Sequence, residues 1–570
     1  MRQAPPILVI TIGFYLIVRI AVDAASLPAV QPPLAAVASA HPAATAAGRE
    51  ILQAGGNAFD ATIAVAAALA VVEPYSSGIG GGGFFLLHRA SDGKQTMVDA
   101  RETAPQAATH DMYLDESGEF VRERALNGPL AAGIPGTPAG LVHLAAKYGR
   151  LSLSESLAPA VRLAQEGFAV TPRYHRMAGF RASAFAAQPS AAAIFLGDDG
   201  IADLGEIIKQ PDLANTLRLL GEHGAAGFYA GEIAERLVAG VRERGGIWTQ
   251  RDLTDYVVVE REPIAINYHG IRIVSAPPPS SGGIVMAEAF NILSQFDLAA
   301  MDVNTRRHLV IEAMRRAYRD RAEYLGDPDH VDIPVARLVS PRYAAQLAAD
   351  LSIDRATPST DLRPIGEKKG EDTTHFSVLD TEGNRVAATL SVNYPFGAAY
   401  VPAGTGVLLN NEMDDFSARP LTPNVYGLVG VEANAIAPGK RPLSSMTPTF
   451  LEAKDKVGIL GTPGGSRIIS MVMIGILDFA AGNKPESWVS AKRYHHQYLP
   501  DIVQFEKNGL TSDEQRDLEA RGHNLKENSR NYGNMHAILW DRANHQVDAA
   551  SDPRGEGAAE VFKTQVSHQR

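Results

Sequence analysis

The stretch 372–393, DTTHFSVLDTEGNRVAATLSVN, decides how this chain is read. Two runs with strand character, 376–380 and 385–393, flank Thr381, Glu382, Gly383 and Asn384, which have turn chemistry. A hairpin closed by that four-residue loop sets Asp380 against Arg385 and residue 374 against residue 391. Ser391 then falls within about one residue of the position across from Thr373, close enough for their hydroxyls to hydrogen-bond. From the hairpin alone, two ordinary strand hydroxyls remain the plainer reading. Immediately upstream, 357–372 (TPSTDLRPIGEKKGED) is polar, contains Pro and Gly, and is almost devoid of large apolar residues. A surface loop running straight into a buried strand is a place where a chain can be cut without losing its fold.

Further out, the sequence predicts a helix over 45–54 that stops at Gly55-Gly56, where glycine supplies a left-handed cap. Asn57 offers the N-cap of a second helix, 58–72, ended by Glu73-Pro74. That helix is apolar on nearly every face, which predicts burial within a layer; its length and Asp60 argue against a membrane span. Further strand-like runs lie at 84–88, 95–99, 449–452, 457–461 and 536–541. Amphipathic helices occupy the middle, such as 309–325, where Ile311, Met314, Tyr318, Ala322 and Leu325 recur at spacings of three and four. Strands at both ends with helices between suggest one α+β body whose sheets draw on distant parts of the chain. The Pro- and Ala-rich segment 27–44 reads as a linker into that body.

The N-terminus has the pattern of an export signal: Arg2, an apolar run over 7–18, then Val22 and Ala24 suited to cleavage after Ala24. Arg19 directly after the run leaves an uncleaved membrane anchor as the alternative. With no cysteine among 570 residues, disulfides and thiolate metal sites are excluded, which suits a periplasmic or extracellular location. A net charge of −11 argues against nucleic acid as a partner, and the short EKKG run at 367–370 does not offset it.

Several motifs can be set aside. Gly78 to Gly83 formally contains G-x-G-x-x-G, but here a helix precedes it and a strand follows, the reverse of a dinucleotide site; a glycine turn for close backbone packing is the better reading. His495-His496, read as neighbours on a helix, would not face one point, so surface or packing roles are favoured. Asp327, Asp329 and Asp332 lack the Gly and Glu of a calcium loop. No phosphate loop, zinc helix or nucleophile elbow occurs.

Nine strings run in order over about 38–560: GGNAFDATIAVAAALAVVEP, GIGGGGF, DARETAP, PPPSSGG, DTTHFSVLD, LLNNEMDDFSA, PNVYGLVG, KRPLSSMTPTF and GTPGGSR. Together they resemble the γ-glutamyltransferase family of N-terminal-nucleophile hydrolases. The resemblance implies a four-layer αββα sandwich, self-cleavage between Asp372 and Thr373, and a heterodimer of a large subunit (26–372, after a signal at 1–25) and a small one (373–570). It implies that Thr373 is the nucleophile, with Ser391 hydrogen-bonded to it and Gly464 and Gly465 offering backbone N–H groups to the oxyanion. Arg101, Ser444 and Ser445 would receive the α-carboxylate of a γ-glutamyl group; Asn393, Glu412 and Asp415 would surround its α-ammonium. The segment 421–440 would form a lid with Tyr426 as its gate. Two positions depart from the commonest bacterial pattern, which has threonine at 391 and often glutamine at 412. The implied activity is that of a γ-glutamyltransferase and glutathione hydrolase, passing the glutamyl group to water, amino acids or peptides, with no cofactor or metal. An acylase for a β-lactam side chain or poly-γ-glutamate, and an unprocessed binding protein, are the alternatives.

Overall fold

The computed structural model describes residues 31–197, 200–362, 373–418, 424–425 and 427–564. The expected signal and anchor, the EKKG run, Asp372 and Tyr426 lie outside the described residues. Residues 32–570 form one unit by their contacts. Among the described residues its two large sheets hold thirteen strands: β1 (Ala35–Ser39), β2 (Gly82–His88), β3 (Gln95–Ala100), β4 (Val259–Arg261), β5 (Ile264–Tyr268), β6 (Ile271–Ser275), β7 (Thr374–Leu379), β8 (Arg385–Ser391), β9 (Thr449–Glu452), β10 (Lys456–Gly461), β11 (His536–Asp541), β12 (Gln546–Ser551) and β13 (Ala558–Phe562). They build a seven-stranded sheet in the order β13-β1-β7-β8-β2-β3-β4 and a six-stranded sheet in the order β12-β11-β10-β9-β6-β5. Every pairing within the two is antiparallel.

The sheets pack face to face through an apolar layer that includes Phe84, Leu86, Met97, Val274, Ala387, Phe450, Ile459 and Ile538. Alternation along each strand sends the other side chains outward to a helical layer. On the seven-stranded sheet that layer contains α1 (Pro42–Gln53), α2 (Ala58–Val72) and α3 (Leu153–Glu166). On the six-stranded sheet it contains α4 (Gly282–Leu293), α5 (Val303–Tyr324) and α6 (Ile468–Ala480). The result is the expected αββα order.

Helix α2 starts and stops at the expected residues. Asn57 accepts from the Phe59 and Asp60 N–H groups while Asp60 accepts from Asn57 N–H, a reciprocal cap, and every residue of α2 is buried. The supposed linker is corrected: within 27–44, Ala35–Ser39 is β1, wholly buried and paired on both sides, and α1 already begins at Pro42. Small side chains let this strand sit between β13 and β7 beneath α1. Helix α5 begins six residues before the expected start, where Asp302 accepts from the Asn304 and Thr305 N–H groups.

The hairpin is tighter than expected. Asp380 N–H donates to Asn384 O (3.1 Å), leaving a loop of Thr381, Glu382 and Gly383, with Gly383 at φ +93°. This shifts the register by one residue, so that Leu379 opposes Arg385 and Thr374 opposes Leu390. The glycine run acts through close packing, as its context suggested. A Cβ at Gly81 would stand 2.0 Å from Ser391 O, and one at Gly83 2.2 Å from Thr389 O. His495 and His496 are not on a helix: His495 ends a short strand, both rings are buried, and they bond to Ser470 and Asp501 respectively.

Candidate active site

Continuing the hairpin register one step past Thr374 and Leu390 puts Ser391 directly across from Thr373. Strand alternation also separates the two adjacent threonines. Thr374 points toward α2, where its hydroxyl donates to Glu73 Oε2 (2.6 Å), and burial pushes the Glu73 carboxyl up to about 7. Thr373 faces a small cavity lined also by Ser391, Asn393, Glu412, Asp415, Leu428, Ser444, Ser445 and Gly465. Eight of the residues singled out in the sequence therefore meet around one hollow of about 20 Å3, room for roughly one water molecule.

Each wall has a local cause. Ser391 ends β8, and its hydroxyl accepts the Asn393 N–H (2.7 Å), which turns the chain through Asn393 at φ +74°, a conformation asparagine tolerates. The Asn393 amide then donates to Asn411 O (2.9 Å), tying this corner to the Glu412–Asp415 turn. Ser444 is bridged to Ser280, so the strings PPPSSGG and KRPLSSM form one wall, with Ser281 N–H donating to Ser444 O (2.8 Å). Gly464 and Gly465 have φ +141° and +54°, values that favour glycine, and lead through a single 3-10 turn into α6. Gly465 thus stands beside Thr373 at the positive end of a helix.

Arg101 follows β3 and is fully buried, with one guanidinium nitrogen on Glu412 and another donating to Asp415 Oδ2 (2.5 Å). Its Nε donates to Pro442 O (3.2 Å). Burial alone would lower this guanidinium; Glu412, Glu102 and Asp415 together hold it above its ordinary value. Burial pushes Glu412 up to about 7, opposed by Arg101 and reinforced by Asp415; Asp415 moves in the same direction. The described part of the 421–440 segment covers this cluster. The Asn424 amide donates to Asp415 Oδ1 (2.8 Å), Val425 N–H to Asp414 Oδ2 (2.7 Å), and Leu428 lines the cavity.

Two charged residues of the site escaped the sequence reading. Glu102 is fully buried, its carboxylate oxygens have no hydrogen-bond partner among the described residues, and it lies 3.6 Å from Arg101; burial and then Glu412 raise it well above the ordinary carboxylate range, against the pull of Arg101. Arg321 on α5 donates to Ser281 Oγ (3.0 Å) and Ser445 Oγ (3.2 Å), and burial lowers it to about 10. It holds the serine wall through hydroxyls, with no ion pair to a carboxylate among the described residues. Their only signal in sequence was position, Glu102 inside DARETAP and Arg321 among several arginines of α5.

Two face-packed sheets between helical layers, with a threonine opening a central strand beside a glycine pair at a helix start, define a hydrolase of the N-terminal-nucleophile type. The comparisons narrow this. Residues 44–562 match the gamma-glutamyltranspeptidase family, and the chain belongs to it. It is 43% identical over 494 residues to a glutathione hydrolase proenzyme of Pseudomonas sp. strain A14, covering 85% of each chain. It is 41% identical over 529 residues to a glutathione hydrolase proenzyme of Escherichia coli K12, covering 91% of this chain and 90% of that one. Among solved structures, a cephalosporin acylase from Bacillus halodurans superposes with a TM-score of 0.83 at 29% identity, covering 95% of this chain and 99% of that one.

Proposed function

We propose that this chain is an exported precursor that cuts itself between Asp372 and Thr373, and that the large (26–372) and small (373–570) subunits then work together as a γ-glutamyltransferase and glutathione hydrolase. The observation that carries this reading is the ion cluster beside Thr373. Arg101 and Asp415 already form a plus–minus pair at 2.5 Å, and the cavity between the clustered residues is too small for a glutamyl group. A zwitterionic head can enter by exchange, its α-carboxylate taking Arg101 with help from the Ser444 and Ser445 hydroxyls, its α-ammonium taking Asp415, Glu412 and Asn393. Every charge separated on opening is matched again. An acyl group with a carboxylate and no ammonium would separate the Arg101 pair and leave two buried carboxylates without a cation.

With the head so held, the side-chain amide carbonyl is directed at Thr373. The amine freed by self-cleavage takes the hydroxyl proton; at a pKa of roughly 7.7–8.0 unperturbed, much of it is neutral near pH 8. Oγ1 adds to the carbonyl, and the oxyanion is received at the Gly464–Gly465 N–H groups beside the start of α6. The leaving amine carries off the proton. Water or an amino compound then attacks the γ-glutamyl-Thr373 ester, and Thr373 recovers its hydroxyl. Ser391 holds the Thr373 hydroxyl from across the hairpin, Tyr426 gates the lid, and no cofactor or metal enters. The N-terminal 25 residues, Arg2 followed by an apolar run, support export to the periplasm or exterior.

The likeness to a cephalosporin acylase favours, as second reading, a related amide hydrolase, and one experiment separates the two. Wild-type protein is expected as two fragments, the smaller beginning TTHFSVLD, with Thr373→Ala left uncut. The processed enzyme should cleave γ-glutamyl-p-nitroanilide on the order of 100-fold better in kcat/KM than glutaryl-p-nitroanilide, reflecting lost charged hydrogen bonds. An uncut wild-type chain sinks the processing, and equal turnover of the two anilides sinks the glutamyl specificity.

A further inference from the structure

Next to the Thr373 cavity lies a much larger cleft of about 900 Å3. Gly465 lines the cavity while Gly464 lines the cleft, so the glycine pair stands on the boundary between them. Among the described residues five arginines line the cleft, Arg173, Arg176, Arg467, Arg530 and Arg554, and no Asp or Glu does. Arg554 is neutralised from behind by Glu506 and Asp552. Arg467 reaches Gln504 (2.8 Å) and stacks over Tyr532. Arg176 and Arg530 are exposed and form no ion pair among the described residues. In a protein of net charge −11, such a concave wall of one sign concentrates a positive field in one place.

We propose that this cleft is the subsite for the amine side of the reaction and that it selects amines bearing carboxylates, the end of a peptide or an acidic amino acid. The proposal rests on the γ-glutamyl reading above. A carbonyl held over the glycine pair with its acyl part in the small cavity sends its nitrogen substituent past Gly464 into the cleft. There Arg176 and Arg530 meet its carboxylate. In the reverse sense, an acceptor anchored by the same arginines presents its amine to the Thr373 ester: the new C–N bond forms as the C–Oγ1 bond breaks, and the amine's proton returns to Thr373. Arg176 and Arg530 stand away from the reacting atoms, so they act on binding and not on the chemical step.

The test uses the processed enzyme and two donors with the same glutamyl head, γ-glutamyl-p-nitroanilide and γ-glutamyl-3-carboxy-4-nitroanilide. The carboxylated donor should have a KM lower by roughly threefold to tenfold, as expected for one or two partly solvated ion pairs. In Arg176→Gln/Arg530→Gln that gap should close, with kcat and the KM of the neutral donor unchanged; in Arg176→Lys/Arg530→Lys much of it should persist, and 0.5 M NaCl should narrow it in the wild type. Equal KM values in the wild type, or a gap that survives the double glutamine variant, overturns the subsite. Turnover of neither donor by cleaved enzyme overturns the γ-glutamyl reading itself, and the subsite with it.

Discussion

Arg101 meets carboxylates before any substrate arrives, and the protonation of those carboxylates sets when it can let them go. Glu412 is held up to about 7 chiefly by burial. Below that pH it is neutral and offers the substrate ammonium only a dipole; above it, a charge. Proton loss from Glu412 therefore favours binding, and kcat/KM for γ-glutamyl-p-nitroanilide should rise with pH through about 7, in addition to the rise from the Thr373 amine. In Glu412→Gln the amide oxygen still accepts a hydrogen bond, so the variant should process itself and stay within about tenfold of wild type at pH 8.5. Its acid limb should be shallower by about one proton. A pH profile unchanged by the substitution would show that Glu412 does not titrate in the working range. Arg101, Glu412 and Asp415 were legible in sequence because each belongs to a string whose order matched a family. Arg321 lies in no such string and Glu102, though inside one, carries no role by its position there; their meaning lies in burial and in neighbours, Ser281 and Ser445 for Arg321 and Arg101 for Glu102, that matter only once the chain is folded.

At the scale of elements, the site depends on how closely β2 can approach the end of β8. Gly82 pairs with Ser391, and Gly81 lies against the Ser391 carbonyl with no room for a methyl group. Gly81 is not among the left-handed glycines, so an alanine there would be opposed by contact alone. The obstructing atom is backbone, and relief requires the end of β8 to move, taking Ser391 away from Thr373. Gly81→Ala is expected to cost about 1–3 kcal/mol in stability, the range for overpacking, and to slow self-cleavage. Thermal unfolding and the fraction of cut chain over time are the measurements; a normally stable, fully processed variant would refute the tight approach. The hairpin itself was readable because Gly383 and its neighbours carry turn chemistry, although the loop length, and with it the register, came out one residue off. Strand β1 was not readable. Its sequence, AAVAS, has no alternation of large and small residues, and its partner β13 lies more than 500 residues away in the chain. Strands β4 to β6, β12 and β13 were missed likewise: β4 and β13 pair only with strands far away in the chain, while β5 with β6 and β11 with β12 form local hairpins whose second strands carry no clear alternation of large apolar and polar residues.

For the whole molecule, the position of the proposed cut within the strand order decides what happens after it. In the seven-stranded sheet, β1 comes from before the cut and sits between β13 and β7 from after it, while β8 pairs with β2 across the same divide. In the six-stranded sheet, β9 pairs with β6. Both sheets and the apolar layer between them are thus composed from both fragments, and neither fragment keeps a complete sheet by itself. Parting them would expose that layer and break four strand pairings at once, a change equivalent to unfolding. The nicked protein should therefore elute as one particle in native gel filtration, in 1 M salt as in dilute buffer, since the apolar layer and the strand pairings persist even where salt screens ion pairs across the cut, such as Arg49 with Glu560 and Arg272 with Glu452. In rising urea the two fragments should separate only within the same transition that removes the secondary structure. Separate expression should yield insoluble 373–570, whereas coexpression with the remainder of the chain should restore some soluble complex. Fragments that part in salt while keeping native circular dichroism would mean that the two sides fold independently, and the interleaved sheets would then be the wrong account of how the cut enzyme holds together.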